Sequence, residues 1–290
     1  MQSVPYVEYK KYLDKRRNCI ICEKKTSYKI WAKDSYFKAI KCKSCGMVSI
    51  EPPLSEVGLN LYYQNNFHRR EDAELKWSKR IEQYKLDKEL IENFINKGNC
   101  LDVGCGGGLF LESLNNNFKK FGIDIDKTSI DYAKKNFKSD YRVESLGKDS
   151  LKNKSFDLII MRGVIEHVLD PNLYVKRCGD LLKKGGLVYI CATPNINSFT
   201  AEIYKNKWNL WHPIQHINLF DEKTLSSLFK KYGFERYFFT YPYINTPYEN
   251  HINDSKSLIK DIFRIKNKQK IKNISPPFWG NMISIIFKKK

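Results

Sequence analysis

The chain has 290 residues, with 51 Lys and Arg against 32 Asp and Glu for a formal net charge of +19, and 42% of it is hydrophobic. That length suits one substantial α/β domain plus a small accessory module, with enough apolar material for a buried core. No apolar run approaches the roughly 18 residues that span a bilayer, and the opening stretch MQSVPYVEYKKYLDKRR lacks a signal-like hydrophobic segment, so a cytoplasmic location is expected.

A basic surface attracts phosphate, which makes nucleic acid a candidate partner. Only 10 of the basic residues are arginine, however, and 41 are lysine. Arginine is the usual source of bidentate base and phosphate contacts, so a lysine excess spread over the whole chain makes nucleic acid the less favoured reading. Eight cysteines without an export signal argue against a disulfide framework.

Four of those cysteines are grouped. Cys19 and Cys22 form one C-x2-C pair, and Cys42 and Cys45 form a second after 19 intervening residues. Each pair acts as a knuckle whose thiolates point at one ion, and two knuckles complete a tetrahedral site. Between them, TSYKIWAKDSYFKAIKC alternates aromatic and polar residues like a short hairpin. The pattern predicts a zinc ribbon over residues 1–55, with Zn2+ held by Cys19, Cys22, Cys42 and Cys45. Such a closed four-sulfur site is structural, and the ion would supply much of the folding energy of so small a module.

Residues 52–67 read as a linker with an aromatic patch. Apolar positions at helical spacing (Leu75, Ile81, Tyr84, Leu86, Leu90, Ile91, Phe94) predict an amphipathic lead-in helix within 71–97, so that 56–97 connects the ribbon to the main domain. From 99 to 192 short apolar runs alternate with helical stretches: NCLDV, LFLESL, FKKFGIDI, SIDYAKKNF, DYRVE, FDLIIM, NLYVKRCGDLL and LVYICAT. That alternation predicts βαβ units and a mainly parallel sheet covered on both faces. Two further strands are expected at 234–240 and 281–287, and the lysine-rich stretch 256–273 reads as a solvated helix or loop.

The segment Leu101-Asp102-Val103-Gly104-Cys105-Gly106-Gly107-Gly108 ends a strand and opens a helix. Glycines there permit positive φ and let backbone approach a ligand closely. Twenty residues after Gly104, Asp124 ends the next strand, where a carboxylate can accept hydrogen bonds from ribose hydroxyls. A glycine turn and a strand-end acid also suit NAD. The spacing D-x-G-x-G-x-G, in place of G-x-G-x-x-G, and the acid at Asp102 favour S-adenosylmethionine.

In order and spacing, LDVGCGGG, GIDID and FDLIIMRGVIEHVLDP resemble the successive motifs of class I S-adenosylmethionine-dependent methyltransferases, over roughly residues 97–240. The resemblance implies a Rossmann-like seven-stranded sheet within 98–290, mostly parallel, with the last strand at 281–287 antiparallel. It also implies a cofactor set. Gly104, Cys105 and Gly106 would wrap the methionine portion, with Gly108 in the same turn, and Asp102 would orient the amino-acid end. Asp124 would hold the ribose, Ile125 would touch the adenine face, and Glu144 would meet the adenine amine. Arg162, just before GVIEHV, completes the set.

Methyl transfer from a sulfonium is an in-line displacement that depends on alignment, and a neutral hydroxyl acceptor also needs a base. His167 in VIEHV lies where ligands of open α/β sheets collect. His216 lies in an insertion at about 194–220 that also carries Trp208, Trp211 and His212 and resembles the family's substrate lid. These two histidines are the candidate bases. Zinc ribbon, core and aromatic lid together resemble the branch found with polysaccharide and deoxysugar biosynthesis, which includes zinc-containing sugar C-methyltransferases. That branch tends to carry an acid-His pair in the lid where this chain has Gln215-His216, and to continue past the point where this chain ends, at Lys290. The expectation is therefore O-methylation of a sugar, nucleotide-sugar, capsule or lipopolysaccharide acceptor. An rRNA or tRNA methyltransferase with a zinc module is the alternative, and a catalytically silent binding module is a third reading.

Overall fold

A computed structural model describes residues 8–14, 18–24, 27–66, 74–147, 151, 155–271 and 273–290. Of the expected lead-in helix, residues 71–73 and the side chain of Leu75 lie outside the described part, as do residues 1–7, 15–17 and 25–26 of the expected ribbon. The chain runs β1 (Tyr28–Lys33), β2 (Lys38–Cys42), β3 (Val48–Glu51), α1 (Glu56–Asn66), α2 (Glu74–Glu92), β4 (Gly98–Val103), α3 (Leu109–Ser113), β5 (Phe118–Asp124) and α4 (Lys127–Asn136). It continues with β6 (Asp140–Val143), β7 (Phe156–Arg162), α5 (Pro171–Leu181), β8 (Leu182–Pro194), α6 (Phe199–Tyr204), β9 (Asn218–Leu219), α7 (Glu222–Lys231), β10 (Phe234–Thr240), α8 (His251–Lys266) and β11 (Met282–Lys289). Among the described residues no helix is long and apolar enough to cross a membrane.

Seven strands form one sheet in the order β10-β11-β8-β7-β4-β5-β6. The expected architecture is present: β11 is antiparallel to both β10 and β8, while β4, β5, β6, β7 and β8 pair in parallel. Leu158, Ile159, Ile160 and Met161 of β7 are all buried, as a parallel strand covered on both faces requires. Acid caps begin α4, α5 and α7: Asp126 accepts from Ser129 N, Asp170 from Leu173 N, and Asp221 from Thr224 N in a capping box. Because β4 sits between β5 and β7, consecutive crossovers leave it in opposite directions. A crevice opens there at the carboxyl ends of the strands.

A second sheet, β1-β2-β3-β9, holds the N-terminal module. The expected hairpin is β1–β2. Its fourth strand comes from the lid, through Val48↔Leu219 and Ser49↔Asn218. Ribbon and lid are thereby stitched into one unit. The expected linker at 52–67 departs from sequence expectation, since 56–66 is helix α1; Phe67 is outside the described residues. Leu59 is buried in a cluster with Tyr9, Leu54 and Ile217, so contacts on both sides of the segment fix it as a helix. The lysine-rich stretch is α8 as far as Lys266, with Leu258 buried against Trp208 and Ile196 of the lid region.

Packing under β11 gives a stability test. Phe229 of α7 stacks on Phe287 of β11 with centroids 3.9 Å apart and planes 4° apart, both rings fully buried. Phe229→Ala is expected to cost about 3–5 kcal/mol, measured as a lower denaturant midpoint with an unchanged slope.

Candidate active site

The crevice at the end of β4 is an open cleft of about 1220 Å3, bordered by the glycine turn, the ends of β5, β6 and β7, helices α1 and α2, and the lid. Hydrogen bonds fix the turn. The amides of Gly104 and Cys105 donate to the Ile123 carbonyl at 2.8 and 3.1 Å, and the amide of Gly106 donates to Asp124 Oδ2 at 2.8 Å. Asp124 Oδ1 accepts from the amide of Asp126 at 2.9 Å. Gly104 has φ +71°, and a Cβ there would sit 2.7 Å from Val164 Cγ2, so the turn cannot close with a side chain at that position.

Asp102, Gly104, Cys105, Gly106, Asp124, Ile125, Glu144, Arg162, His167 and His216 all border this one cleft. Gly108 does not. It occupies the left-handed N-cap of α3 at φ +82°, and a Cβ there would strike Tyr141 Oη at 2.5 Å. Its position is dictated by turn geometry and packing. Cys105 faces the cleft on one side while its Sγ points to the position a Gly122 Cβ would take.

Asp102 is 2% exposed, and its Oδ1 has no hydrogen-bond partner. Burial, and then the nearby Asp124 carboxylate, push its pKa from 3.8 up to about 8, with Arg162 acting in the opposite direction. An orphaned buried carboxylate oxygen is costly unless a cationic or donor group meets it.

Arg162 is held by a residue that the sequence reading missed. Its Nε donates to Asp87 Oδ2 at 2.9 Å, and its guanidinium lies 4.7 Å from the centre of the Tyr84 ring, both partners on α2. Asp87 also accepts from Gln83 Nε2 at 3.0 Å. The signal was present in the helix periodicity: Tyr84, Asp87 and Ile91 share one face, so Asp87 is an acid on an apolar stripe.

The other end of the cleft is lined by α1, the loop after β7 and the lid. His216 is buried, and its Nδ1 lies 2.9 Å from the Leu210 carbonyl. A carbonyl only accepts, so Nδ1 carries the proton and Nε2 keeps its lone pair. Burial, then the neighbouring His167 and His212, hold the pKa of His216 well below 6.5. The His167 ring lies 4.9 Å from that of His216, and its Nδ1 is 3.0 Å from the hydroxyl of Tyr63 on α1. Glu166 beside it is buried, accepts from Thr193 Oγ1 at 3.2 Å, and is pushed up to about 8 by burial.

In the N-terminal sheet the four expected cysteines converge. Cys19 Sγ is 3.3 Å from Cys45 Sγ, Cys22 Sγ is 3.7 Å from Cys42 Sγ, and all four sulfurs lie within 4.8 Å of one another. A tetrahedral zinc with bonds of about 2.3 Å spaces its thiolates by about 3.8 Å, so the donor set and its geometry fit that ion.

Compared with known proteins, residues 70–237 match the model of a methyltransferase domain, more than half of the chain. The chain belongs to this methyltransferase family. The fold is that of class I S-adenosylmethionine-dependent enzymes: a methyltransferase of that kind from Thermotoga maritima superposes with a TM-score of 0.54 at 20% identity, covering 80% of this chain and 98% of that one. Another from Listeria monocytogenes gives 0.51 at 15% identity, covering 73% and 98%. Among curated relatives, the ubiquinone biosynthesis O-methyltransferase of Pelagibacter ubique is 40% identical over 124 residues, 39% of this chain and 50% of that protein. Its counterpart in Chelativorans is 34% identical over 96 residues, 31% and 38% of the two chains. The chain thus spans half or less of the length of these relatives.

These relatives overturn the sugar or glycan acceptor, since they are named for ubiquinone biosynthesis and not for sugar methylation, and they lend an rRNA or tRNA acceptor no support. The structure supplies the physical reason. The tryptophans of the expected substrate lid do not face the cleft: Trp208 is buried in the core between lid and ribbon. Trp211 stacks on Trp31 at 6.3 Å and donates to Asp34 Oδ2 at 2.9 Å. Both rings hold the ribbon to the lid.

The buried acid makes stability pH-dependent in this family member. The folded state keeps a proton on Asp102 up to a pKa of about 8, while the unfolded chain releases it from 3.8 upward. Stability conferred by that proton is complete below about pH 4 and is lost as pH rises toward about 8. Asp102→Asn should therefore melt at a temperature that falls less than the wild type's between about pH 5 and pH 8, read by thermal unfolding in the absence of ligand.

Proposed function

We propose that this chain transfers the methyl group of S-adenosylmethionine to a hydroxyl oxygen of a small molecule. The observation that carries the reading is the orphaned Oδ1 of buried Asp102 beside the Gly104–Gly106 turn, an acceptor suited to a ligand's ammonium group. Bound S-adenosylmethionine supplies an electrophilic methyl on a sulfonium. Oxygen as the accepting atom is supported by the relatives named O-methyltransferases.

In this reading the turn at Gly104, Cys105 and Gly106 accommodates the methionine portion, and Asp102 takes its amino group. Asp124, already oriented by the amides of Gly106 and Asp126, accepts from the ribose hydroxyls. Ile125 and Glu144 border the adenine, and Arg162, locked by Asp87, completes the wall. His216 takes the acceptor's proton at Nε2, the nitrogen left free by the bond to the Leu210 carbonyl. His167 positions the acceptor, with Tyr63 steering its ring. Burial holds His216 in its neutral form, so the Nε2 lone pair is open to accept a proton.

Titration calorimetry with S-adenosylhomocysteine tests the cofactor half: binding is expected, and Asp124→Ala should abolish it, whereas NADH binding without S-adenosylhomocysteine binding would sink the assignment. Once an acceptor is in hand, His216→Ala should lower kcat by about 10²–10⁴-fold with cofactor affinity retained; unchanged turnover removes His216 as the base.

We also propose that Cys19, Cys22, Cys42 and Cys45 hold one structural zinc. Because β3 of this module pairs with β9 of the lid, the ion supports the acceptor side as well as the ribbon. Metal analysis should find one zinc per chain, and chelation should lower the melting temperature; a metal-free protein of equal stability would refute it.

A further inference from the structure

The outer face of α8 is unusual for a helix that also packs on a core. Its inner side buries Asp254, Leu258 and Asp261, while Ile252, Ile259 and Phe263 are 58%, 54% and 60% exposed. These three fall at i, i+7 and i+11, an arc of about 40° at 100° per residue. Lys256 and Lys266 flank the arc, Lys260 lies just beyond it, and Lys268 and Lys270 follow the helix, all five exposed. The only acids in the helix, Asp254 and Asp261, are both turned inward, where they accept from Tyr243 and Tyr204. The outer face is therefore apolar along its centre and cationic at its edges, with no acid on it.

We propose that this face of α8 docks on an anionic lipid bilayer, with Ile252, Ile259 and Phe263 entering the headgroup boundary and the lysines meeting lipid phosphates. A narrow apolar stripe edged by lysine matches a helix lying in a membrane interface, where long lysine stems let the charge remain in the wet layer. With lysines along its edges and no acid on it, the face would set like charges opposite each other in a two-fold pairing, which argues against a second copy of this chain. Nucleic acid would leave the apolar stripe without a partner. Asp261 fastens α8 to the lid by accepting the Tyr204 hydroxyl at 2.8 Å, and Leu258 packs in the cluster that holds Trp208, so docking and the cleft share one rigid unit. The inference does not depend on the methyl-transfer reading.

Vesicle sedimentation of the full chain tests it, comparing phosphatidylcholine alone with phosphatidylcholine containing phosphatidylglycerol. Binding is expected only with the anionic lipid and should weaken with salt. The double variant Ile259→Glu/Phe263→Glu should bind more than about tenfold more weakly, and Lys256→Glu/Lys260→Glu should show a comparable loss. Both alter exposed positions only, and unchanged circular dichroism and thermal unfolding will show that they fold. No binding to anionic vesicles overturns the proposal. Wild-type binding by Ile259→Glu/Phe263→Glu also overturns it, by assigning the affinity to diffuse positive charge. Self-association that Ile259→Glu/Phe263→Glu abolishes would give the face to a second copy and overturn it equally.

Discussion

The parallel pairing of β4 with β5 sets Val103 opposite Ile123, and every part of the glycine-turn side of the cleft depends on that register. It brings the Ile123 carbonyl under the amides of Gly104 and Cys105, and it brings the Asp124 carboxylate to the amide of Gly106. A turn with three amides committed to the neighbouring strand has little freedom left. The same pairing buries Asp102 near Asp124, so two carboxylates face one crevice and only one of them is satisfied by backbone. Slipping β5 by one residue would turn Asp124 to the other face of the sheet and separate it from the turn.

The histidine side of the cleft is built differently, from pieces distant in sequence. The lid lends β9 to the ribbon, and the ribbon returns Trp31 and Asp34 to the lid. Helix α1 bridges the two, with Tyr63 at His167 and Tyr62 accepting from Gln215. The module that looks like an appendage is thus one wall of the structure that carries His216. In this way the four-cysteine cluster is tied to a cleft that it does not border.

Charge on this molecule is better understood by location than by total. A net charge of +19 suggested nucleic acid, yet Asp87 and Arg162 spend theirs in a buried pair beneath the cleft. On α8 the positive charges instead border an exposed apolar stripe, a combination that a phosphate backbone does not call for. Composition reports how many charges exist; only placement relates them to a partner.

The sequence by itself determined the alternation of strands and helices, the glycine turn, the two acids at the ends of β4 and β5, and the grouping of four cysteines. These features are local: a period of two or 3.6 residues and a fixed spacing between motif residues survive without knowledge of the rest of the chain. The tertiary structure decided the rest, because the deciding contacts join distant positions. Arg162 meets Asp87 across 75 residues, His167 meets Tyr63 across 104, and Trp211 meets Asp34 across 177. The tryptophans show the limit most clearly: an aromatic-rich insertion has the same composition whether its rings face a ligand or a neighbouring sheet. Which surface they bury is set by the β3–β9 pairing, and no spacing within the insertion records it.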